Sequence, residues 1–196
     1  MKRKCKTIAI IILCLACLPL VGCFYSFEES SDGRFIFGVS DMKKDAFCIG
    51  CEWSGGDKEF VIPDEFMGYK VTTLGGYTGR GYPCPFAVHV DLSEIYPGDG
   101  TDFCQKDIDG YQPEDEYDVL TFSIHLGANL TELDYLNGKM YIVRHIEKED
   151  GSVEEDVLCK IAYSFTVDEA NPKLYAENGK LYYRDGNTPV TEFFYE

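Results

Sequence analysis

Hydrophobic and polar residues alternate along much of this chain with the period of two that is typical of β-strands. Segment 34–39 contains alternating phenylalanines, and Phe122, Ile124 and Leu126 alternate with polar residues further along. Because successive side chains of a strand point to opposite faces, each pattern predicts a short strand with one buried face. We therefore predict a mainly β fold with little helix.

Turn residues separate these patterns. Residues 47–51 alternate, and Ser-Gly-Gly-Asp at 54–57 leads into the apolar run 59–62. A glycine pair between two such runs is typical of a β-hairpin, so we predict that the two runs pair with each other. The best helical candidate, 130–136, is only seven residues long.

The N-terminus follows a different pattern. Residues 1–6 contain four basic residues, and an apolar run from Thr7 to Val21 is interrupted by Pro19. A membrane-spanning helix needs ~20 apolar residues, so this run is short for one. The order basic, apolar, small favours a secretory signal peptide over 1–22, with a retained transmembrane helix as the alternative.

The end of this segment, Leu20-Val21-Gly22-Cys23, resembles the lipobox of bacterial lipoproteins. In that family the cysteine receives a diacylglyceryl group and becomes the N-terminus after cleavage. The resemblance implies that Cys23 is the lipid attachment site and that the protein lies outside the cytoplasm, anchored to the bacterial membrane or cell surface. A signal peptide without lipid is the second alternative. We expect 23–45 to form a polar tether and a first strand at 34–39.

Composition limits the partners of this chain. The full sequence has 18 basic and 34 acidic residues, and without the four basic residues of the signal peptide the net charge becomes −20. Binding of nucleic acid or of anionic lipid headgroups through a basic surface depends on clustered Lys and Arg, so this acidity argues against both. An aromatic content of 14% argues for a folded domain rather than a disordered one.

Five cysteines remain after the signal peptide and the lipidated position are set aside. An odd number cannot pair completely within one chain. Pairing of Cys84 with Cys104 is one compatible scheme, and the connectivity stays open. The five are Cys48, Cys51, Cys84, Cys104 and Cys159.

A second resemblance covers 46–196. Residues 61–75 contain Ile62-Pro63, Gly68, Val71 and Leu74-Gly75 in the order found in BspA-type leucine-rich repeats. Segments 122–133 and 165–186 resemble further copies, and 88–95 resembles a fainter one. The resemblance implies a short, irregular, leucine-rich-repeat-like solenoid of stacked strands and hairpins.

The spacing of these segments departs from that family. Their strands begin 34 and 43 residues apart, at Val88, Phe122 and Phe165, whereas leucine-rich repeats are ~20–29 residues long. We therefore expect long insertions at 96–118 and 144–158. A small β-sandwich with glycine turns is the alternative architecture.

Candidate chemistry is sparse. Cys48-Ile-Gly-Cys51 has redox spacing, but its β context places the two thiols on opposite faces of a strand, with one in the core. The histidines at 89, 125 and 145 have no metal-ligand spacing, and the acidic segment 99–118 contains only a fragment of a calcium loop. No nucleophile or phosphate-binding motif is present. We predict no catalytic, cofactor-binding or metal site.

The expected function is a non-enzymatic binding or adhesion role toward host proteins, cells or glycans. A substrate-capturing lipoprotein of a polysaccharide or solute uptake system, an extracytoplasmic hydrolase and a structural envelope component are the alternatives. Exposed tyrosines are frequent anchors of binding interfaces. The candidates are Tyr69, Tyr77, Tyr82, Tyr96, Tyr111, Tyr175, Tyr182 and Tyr183.

Overall fold

The computed structural model describes residues 25–41, 43–77, 83–95, 102–107 and 117–195. Within these ranges the chain is mainly β, and its α-helix is the single turn α1 (Leu92–Ile95). The strands are β1 (Tyr25–Glu29), β2 (Phe35–Ser40), β3 (Asp45–Trp53), β4 (Glu59–Val61), β5 (Glu65–Phe66), β6 (Tyr69–Leu74), β7 (Gly76–Tyr77), β8 (Pro83–Cys84), β9 (Ala87–Val90), β10 (Asp102–Lys106), β11 (Asp118–Leu126), β12 (Glu132–Leu133), β13 (Tyr141–Glu147), β14 (Val153–Val167), β15 (Leu174–Glu177), β16 (Lys180–Tyr183) and β17 (Thr188–Pro189).

Sheet I has seven strands. Its main order is β1-β2-β3-β6-β12, with β5 paired to β6 and β9 paired to β3. The first three strands form an antiparallel meander, whereas β3 pairs in parallel with both β6 and β9. Because β3 is nine residues long, its first half reaches β6 and its second half reaches β9.

A β-bulge interrupts β3. Phe35 pairs with Cys51 and Phe37 pairs with Cys48, so β3 holds one extra residue, Ile49, between these partners. An extra residue reverses the alternation of faces beyond it. Cys48 and Cys51 therefore point to the same face, and both are completely buried. Our expectation that they lie on opposite faces is wrong because a strict period of two does not survive a bulge.

Sheet II has five strands in the order β10-β13-β14-β11-β4. Strands β13 and β14 form a hairpin that turns at 148–152, and β11 lies between β14 and β4 with both pairs parallel. The expected insertion at 144–158 is therefore part of this sheet rather than a loop outside it.

The C-terminal region adds a three-stranded meander, β15-β16-β17. Asn178 and Gly179 have φ values of 50° and 77°, as the two-residue turn of a tight hairpin requires. The meander is joined to the rest of the domain by Asn171, which is 1% exposed. Its Nδ2 donates to the carbonyl oxygens of Gly127 and Leu130 at 2.9 and 2.7 Å.

Aromatic side chains from both sheets share one core. Phe35 of sheet I meets Phe60 of sheet II with ring centroids 5.9 Å apart, and Trp53 meets Phe122 at 5.7 Å. Full burial of such side chains contributes ~1.5–3 kcal/mol each to folding, so these contacts are a main source of cohesion between the sheets. Polar contacts also join them: the Val88 amide donates to the hydroxyl of buried Tyr163 at 3.3 Å, and the Val90 amide donates to Gln105 Oε1 at 3.0 Å.

Three local predictions are wrong. The turn at 54–57 does not form a hairpin, because β3 and β4 belong to different sheets and β4 pairs with β11. The helical candidate 130–136 contains β12 instead, which pairs with β6. The expected tether at the start of 23–45 contains β1, which pairs with β2 along its whole length.

The mainly β class is confirmed, as is the expected strand at 34–39, which β2 occupies. The sheets are not solenoid-like, because antiparallel hairpins and parallel pairs are mixed in each of the two larger sheets. A turn signal shows where the chain reverses, but the partner of each strand depends on contacts with distant segments.

Candidate functional site

The outer face of sheet I carries a row of aromatic and polar side chains. Phe27, Gly38, Phe47, Thr73 and Glu132 are neighbours in register across β1, β2, β3, β6 and β12. Residues in one such row point to the same face of a sheet. Phe27 and Phe47 meet edge to face, with ring centroids 6.5 Å apart. The row forms the floor of a shallow groove.

Two glycines make room for the ring of Phe47. A Cβ atom on Gly38 would lie 2.0 Å from Phe47 Cζ, and one on Gly76 would lie 2.5 Å from Phe47 Cδ2. Both distances are far below a van der Waals contact, so the ring lies directly on the backbone at these positions. Phe47 is consequently only 6% exposed although it lies on the outer face.

Tyr77 forms one wall of the groove, and Tyr135 packs against Tyr77 from outside the lining. Their rings meet edge to face with centroids 4.5 Å apart, and they are 38% and 45% exposed. A hydrogen bond with Tyr135 raises the pKa of Tyr77 to about 12, so the Tyr77 hydroxyl stays protonated at neutral pH. An exposed pair of aromatic rings held in this way offers apolar surface to a ligand.

The backbone of Tyr135 is in the left-handed region, with φ of 52°. For a bulky residue this conformation is uncommon and costs ~1–2 kcal/mol. It is held by an Asp134 amide bond to Leu74 O at 2.9 Å and by a Phe86 amide bond to Tyr135 O at 3.0 Å. Strain of this kind at an exposed aromatic side chain is typical of functional positions.

Carboxylates line the rest of the groove. Asp45, Glu132 and Asp134 face it together with one lysine, Lys43. The groove encloses about 160 Å³. We call it the aromatic–acidic groove; its lining is Lys43, Asp45, Ala46, Phe47, Thr73, Gly76, Tyr77, Glu132 and Asp134. With three acids against one base, the groove favours a positively charged group.

A second aromatic surface lies on the C-terminal meander. Tyr175 and Tyr182 are stacked across β15 and β16 with ring centroids 5.1 Å apart and an interplanar angle of 18°. The guanidinium carbon of Arg184 lies 5.7 Å from the centroid of the Tyr175 ring. Glu177 and Asn187 complete an open groove beside them. We call this the stacked-tyrosine groove.

The predicted tyrosine anchors are thus divided between several places. Tyr77 belongs to the first groove, whereas Tyr175 belongs to the second and stacks on Tyr182. Tyr183 is 37% exposed on the same meander, and Tyr69 donates to Asp41 Oδ1 at 2.5 Å. The predicted anchors at 82, 96 and 111 lie outside the described residues.

The Cys-x-x-Cys pair lies in the core. Burial raises the pKa of Cys51 well above its ordinary value, and a hydrogen bond with Cys48 raises it further. The Cys48 thiol donates to Gly50 O at 3.6 Å. Thiol–disulfide exchange requires an accessible thiolate, and both of these thiols are completely buried. Cys48, Cys51 and Cys159 are free thiols.

The remaining candidates are scattered or lie outside the described residues. His89 is in sheet I, whereas His125 and His145 are on separate strands of sheet II. Within the described part of the chain, no group of three or more His, Cys, Asp or Glu side chains is arranged to hold a metal ion. Most of the acidic segment 99–118 and the predicted lipid attachment residue Cys23 lie outside that part.

Sequence reasoning missed the aromatic–acidic groove. Tyr135, Phe47 and Asp134 were not singled out, because the groove combines segments that are far apart in the chain. One signal was available: Gly38 and Gly76 lie in or beside predicted strands, where glycine often marks a close approach of another group to the backbone.

None of the described helices is long and apolar enough to cross a bilayer. Compared with known proteins, the chain matches no family model, no curated protein and no solved structure.

Proposed function

We propose that this protein is a lipid-anchored, extracytoplasmic binding protein without enzymatic activity, and that its aromatic–acidic groove binds basic side chains of an extracellular protein. The observation that carries the proposal is the meeting of Tyr77 and Phe47 with Asp134 and Glu132 in one exposed groove. Ammonium and guanidinium groups interact favourably with both aromatic faces and carboxylates. A lysine or arginine side chain satisfies both kinds of surface at once.

The net charge of the chain supports the same class of partner. A net charge of −20 after removal of the signal peptide attracts basic proteins over distances of about a Debye length, ~8 Å at physiological salt. The groove then adds short-range contacts to this general attraction. The charge acts on the rate of encounter, and the rings and carboxylates act on the lifetime of the complex.

The anchor in this proposal is a lipid on Cys23. The basic start of the chain, the apolar run to Val21 and the Gly22-Cys23 junction support it. Stable attachment requires more than one acyl chain, and a diacylglyceryl group supplies two.

We further propose that segments 61–75, 122–133 and 165–186 are degenerate repeats of the BspA type. Support comes from register: Ile124 and Phe165 lie in two of these segments, and with Phe60, which immediately precedes the first segment, they are neighbours across the parallel strands β4, β11 and β14. All three side chains are buried. Equivalent strands of successive repeats are expected to pair in this parallel, in-register manner.

The stacked-tyrosine groove favours a second candidate function, capture of a glycan for an uptake system. Sugars stack on tyrosine faces and accept or donate hydrogen bonds to side chains such as Arg184 and Asn187. Tyr175 and Tyr182 present such a surface. Binding of a sugar at this site, rather than a protein at the other, would identify this function.

The experiment is a binding screen of residues 24–196 against arrayed matrix proteins, basic peptides and glycans at physiological salt. The test variant is Glu132→Gln with Asp134→Asn in the aromatic–acidic groove. The matched control is Glu149→Gln with Glu169→Gln, which removes the same charge from exposed positions elsewhere. Tyr77→Ala tests the aromatic wall separately.

We expect saturable binding of a basic protein, weakened about tenfold or more by the groove variants, which corresponds to ~1.4 kcal/mol. The control should retain most of the affinity. Equal weakening by both charge variants would contradict a groove site and leave only general attraction. Saturable glycan binding that Tyr175→Ala abolishes would favour the uptake function, and absence of all binding would direct attention to hydrolase assays.

A further inference from the structure

One end of sheet I is defined by a single row of paired residues. Tyr25, Ser40, Asp45, Lys70 and Glu65 are neighbours in register across β1, β2, β3, β6 and β5. Adjacent strands are ~4.8 Å apart, so the row is ~19 Å wide. Residues that lie just beyond this row, on the side away from the rest of the sheet, are at the same end of the domain. We call it the N-terminal end of sheet I.

The chain enters the domain at this end. Strand β1 begins at Tyr25, two residues after Cys23. Two residues span at most ~7 Å in any conformation. If Cys23 carries the lipid, as proposed above, the backbone of the lipidated residue lies within ~7 Å of the first residue of β1. No long tether separates this end of the domain from the bilayer.

A hairpin tip with an exposed methionine projects from the same end. Met67 and Gly68 join β5 to β6, with φ values of 52° and 81°. Turns of this kind favour Asn-Gly or Gly-Gly, and methionine in the left-handed region is unfavourable. The Met67 side chain is also 66% exposed. An exposed, flexible apolar side chain on a strained backbone is suited to insertion among lipid acyl chains.

Charge at this end differs from that of the whole domain. Lys43, Lys44 and Lys70 are exposed there, against Asp41, Asp45 and Glu65. Three bases balance three acids in a chain whose net charge is −20. Long lysine side chains reach lipid headgroups while their stems cover apolar surface.

The opposite end of the sheet is acidic. Glu29 ends β1, Asp32 lies in the following turn, and Asp91 follows β9. The nearby bases are Arg34 and Lys58, whose Nζ lies 5.8 Å from the ring centroid of Trp53 at the end of β3. Apposition of that end to an anionic bilayer is unfavourable, because each acid there is repelled by the lipid headgroups. The N-terminal end of sheet I is therefore better suited than the opposite end to contact with an anionic bilayer.

We propose that the N-terminal end of sheet I is a membrane-docking surface, with Met67 inserted at the lipid interface and Lys43, Lys44 and Lys70 at the headgroups. This inference rests on the proposed lipid attachment at Cys23. Docking fixes the orientation of the domain, so that the aromatic–acidic groove opens sideways, close to the membrane, with Lys43 and Asp45 nearest the lipid.

The test uses the full chain expressed in a lipoprotein-processing bacterium and purified in detergent. Mass spectrometry of the N-terminal peptide first determines whether Cys23 carries the lipid. The protein is then reconstituted into vesicles of phosphatidylglycerol and phosphatidylcholine and treated with a membrane-impermeant amine-acylating reagent. Modification of each lysine is compared with that of the same protein in detergent, normalised to Lys148 and Lys180.

We expect a severalfold fall in the modification of Lys43, Lys44 and Lys70 on vesicles relative to the two reference lysines. Met67→Asp should reverse this protection while leaving the lipid on Cys23. A lipidated protein whose lysines are modified equally on vesicles and in detergent overturns the docking surface but not the anchor. An N-terminus without lipid overturns both.

Discussion

Tyr77 and Tyr135 meet edge to face at the wall of the aromatic–acidic groove, with ring centroids 4.5 Å apart. Tyr135 reaches this position only because its backbone is left-handed, with φ of 52°. The ring and the backbone at this residue therefore make opposite contributions to stability. The ring contact contributes ~0.5–1.5 kcal/mol beyond its buried area, and the backbone costs a similar amount.

Glycine and alanine at position 135 should therefore differ. Both remove the ring, but only glycine removes the backbone strain, so we expect Tyr135→Gly to be about 1 kcal/mol more stable than Tyr135→Ala. Urea denaturation of the two variants measures the difference. Equal stability would show that the left-handed backbone carries no strain. Both variants should weaken binding at the groove.

The packing of Phe47 on glycine predicts a coupled effect. We expect Gly38→Ala to destabilise the domain by about 1–3 kcal/mol, because its new methyl group overlaps the Phe47 ring. In a Phe47→Ala background the same change should cost much less. A double-mutant cycle in denaturant gives the coupling energy. An unchanged cost in both backgrounds would assign the effect to the backbone of β2 instead.

Asn171 predicts a difference between two substitutions. Its Nδ2 donates to Gly127 and Leu130, and its Oδ1 accepts from the amides of Lys173 and Leu174 at 3.0 and 2.9 Å. Asn171→Ala leaves these groups unsatisfied, and we expect a loss of about 2–3 kcal/mol.

Asn171→Asp keeps the acceptor but removes the donor. It places a carboxylate against two carbonyl oxygens in a buried position, so at neutral pH it should be more destabilising than alanine. Its stability should recover in part on acidification, as the carboxyl group becomes protonated and can donate again. Thermal unfolding at several pH values distinguishes the two variants. An aspartate variant as stable as the native protein at neutral pH would contradict the hydrogen bonds to Gly127 and Leu130.

Buried tyrosines predict alkaline destabilisation. Burial raises the pKa of Tyr163 well above its ordinary value, and burial also raises the pKa of Tyr195 to about 12. Between pH ~10, where an unfolded tyrosine loses its proton, and these higher values, the native state binds more protons than the unfolded state. Stability is therefore complete below pH ~10 and falls as the pH rises above it, by up to ~1.4 kcal/mol per pH unit for buried Tyr163 and by less for the partly exposed Tyr195.

Tyr163→Phe should make this alkaline fall less steep. At neutral pH it should cost ~1 kcal/mol, since the Val88 amide loses an acceptor. Denaturant titrations at pH 8 to 12 measure both effects. Tyr183→Phe is the comparison, because that residue is partly exposed and should change the slope less. An identical slope for native protein and Tyr163→Phe would contradict the role of buried Tyr163.

Local pattern was sufficient to predict the mainly β class and several individual strands. Alternation placed β2 and the strand at Phe122–Leu126, because one buried face imposes a period of two on any strand. Turn chemistry at 54–57 marked where β3 ends, but not which strand the following segment joins. The resemblance at 20–23 gives an anchor that remains a prediction.

Strand partners, by contrast, were decided by the tertiary structure. The turn at 54–57 carries no information on whether β4 joins β3 or β11, because that choice depends on core contacts such as Phe35 with Phe60. The bulge at Ile49 reversed the faces of Cys48 and Cys51, which no periodic pattern reveals.

The candidate site was likewise decided by the tertiary structure. Phe47, Tyr77 and Tyr135 come together only because β3, β6 and β12 pair in parallel, and parallel neighbours are necessarily distant in sequence. The sequence by itself determined that the chain is mainly β, and where it is acidic or apolar. Only the tertiary structure determined which of these segments are neighbours, since pairing energy comes from contacts between residues that the chain alone does not bring together.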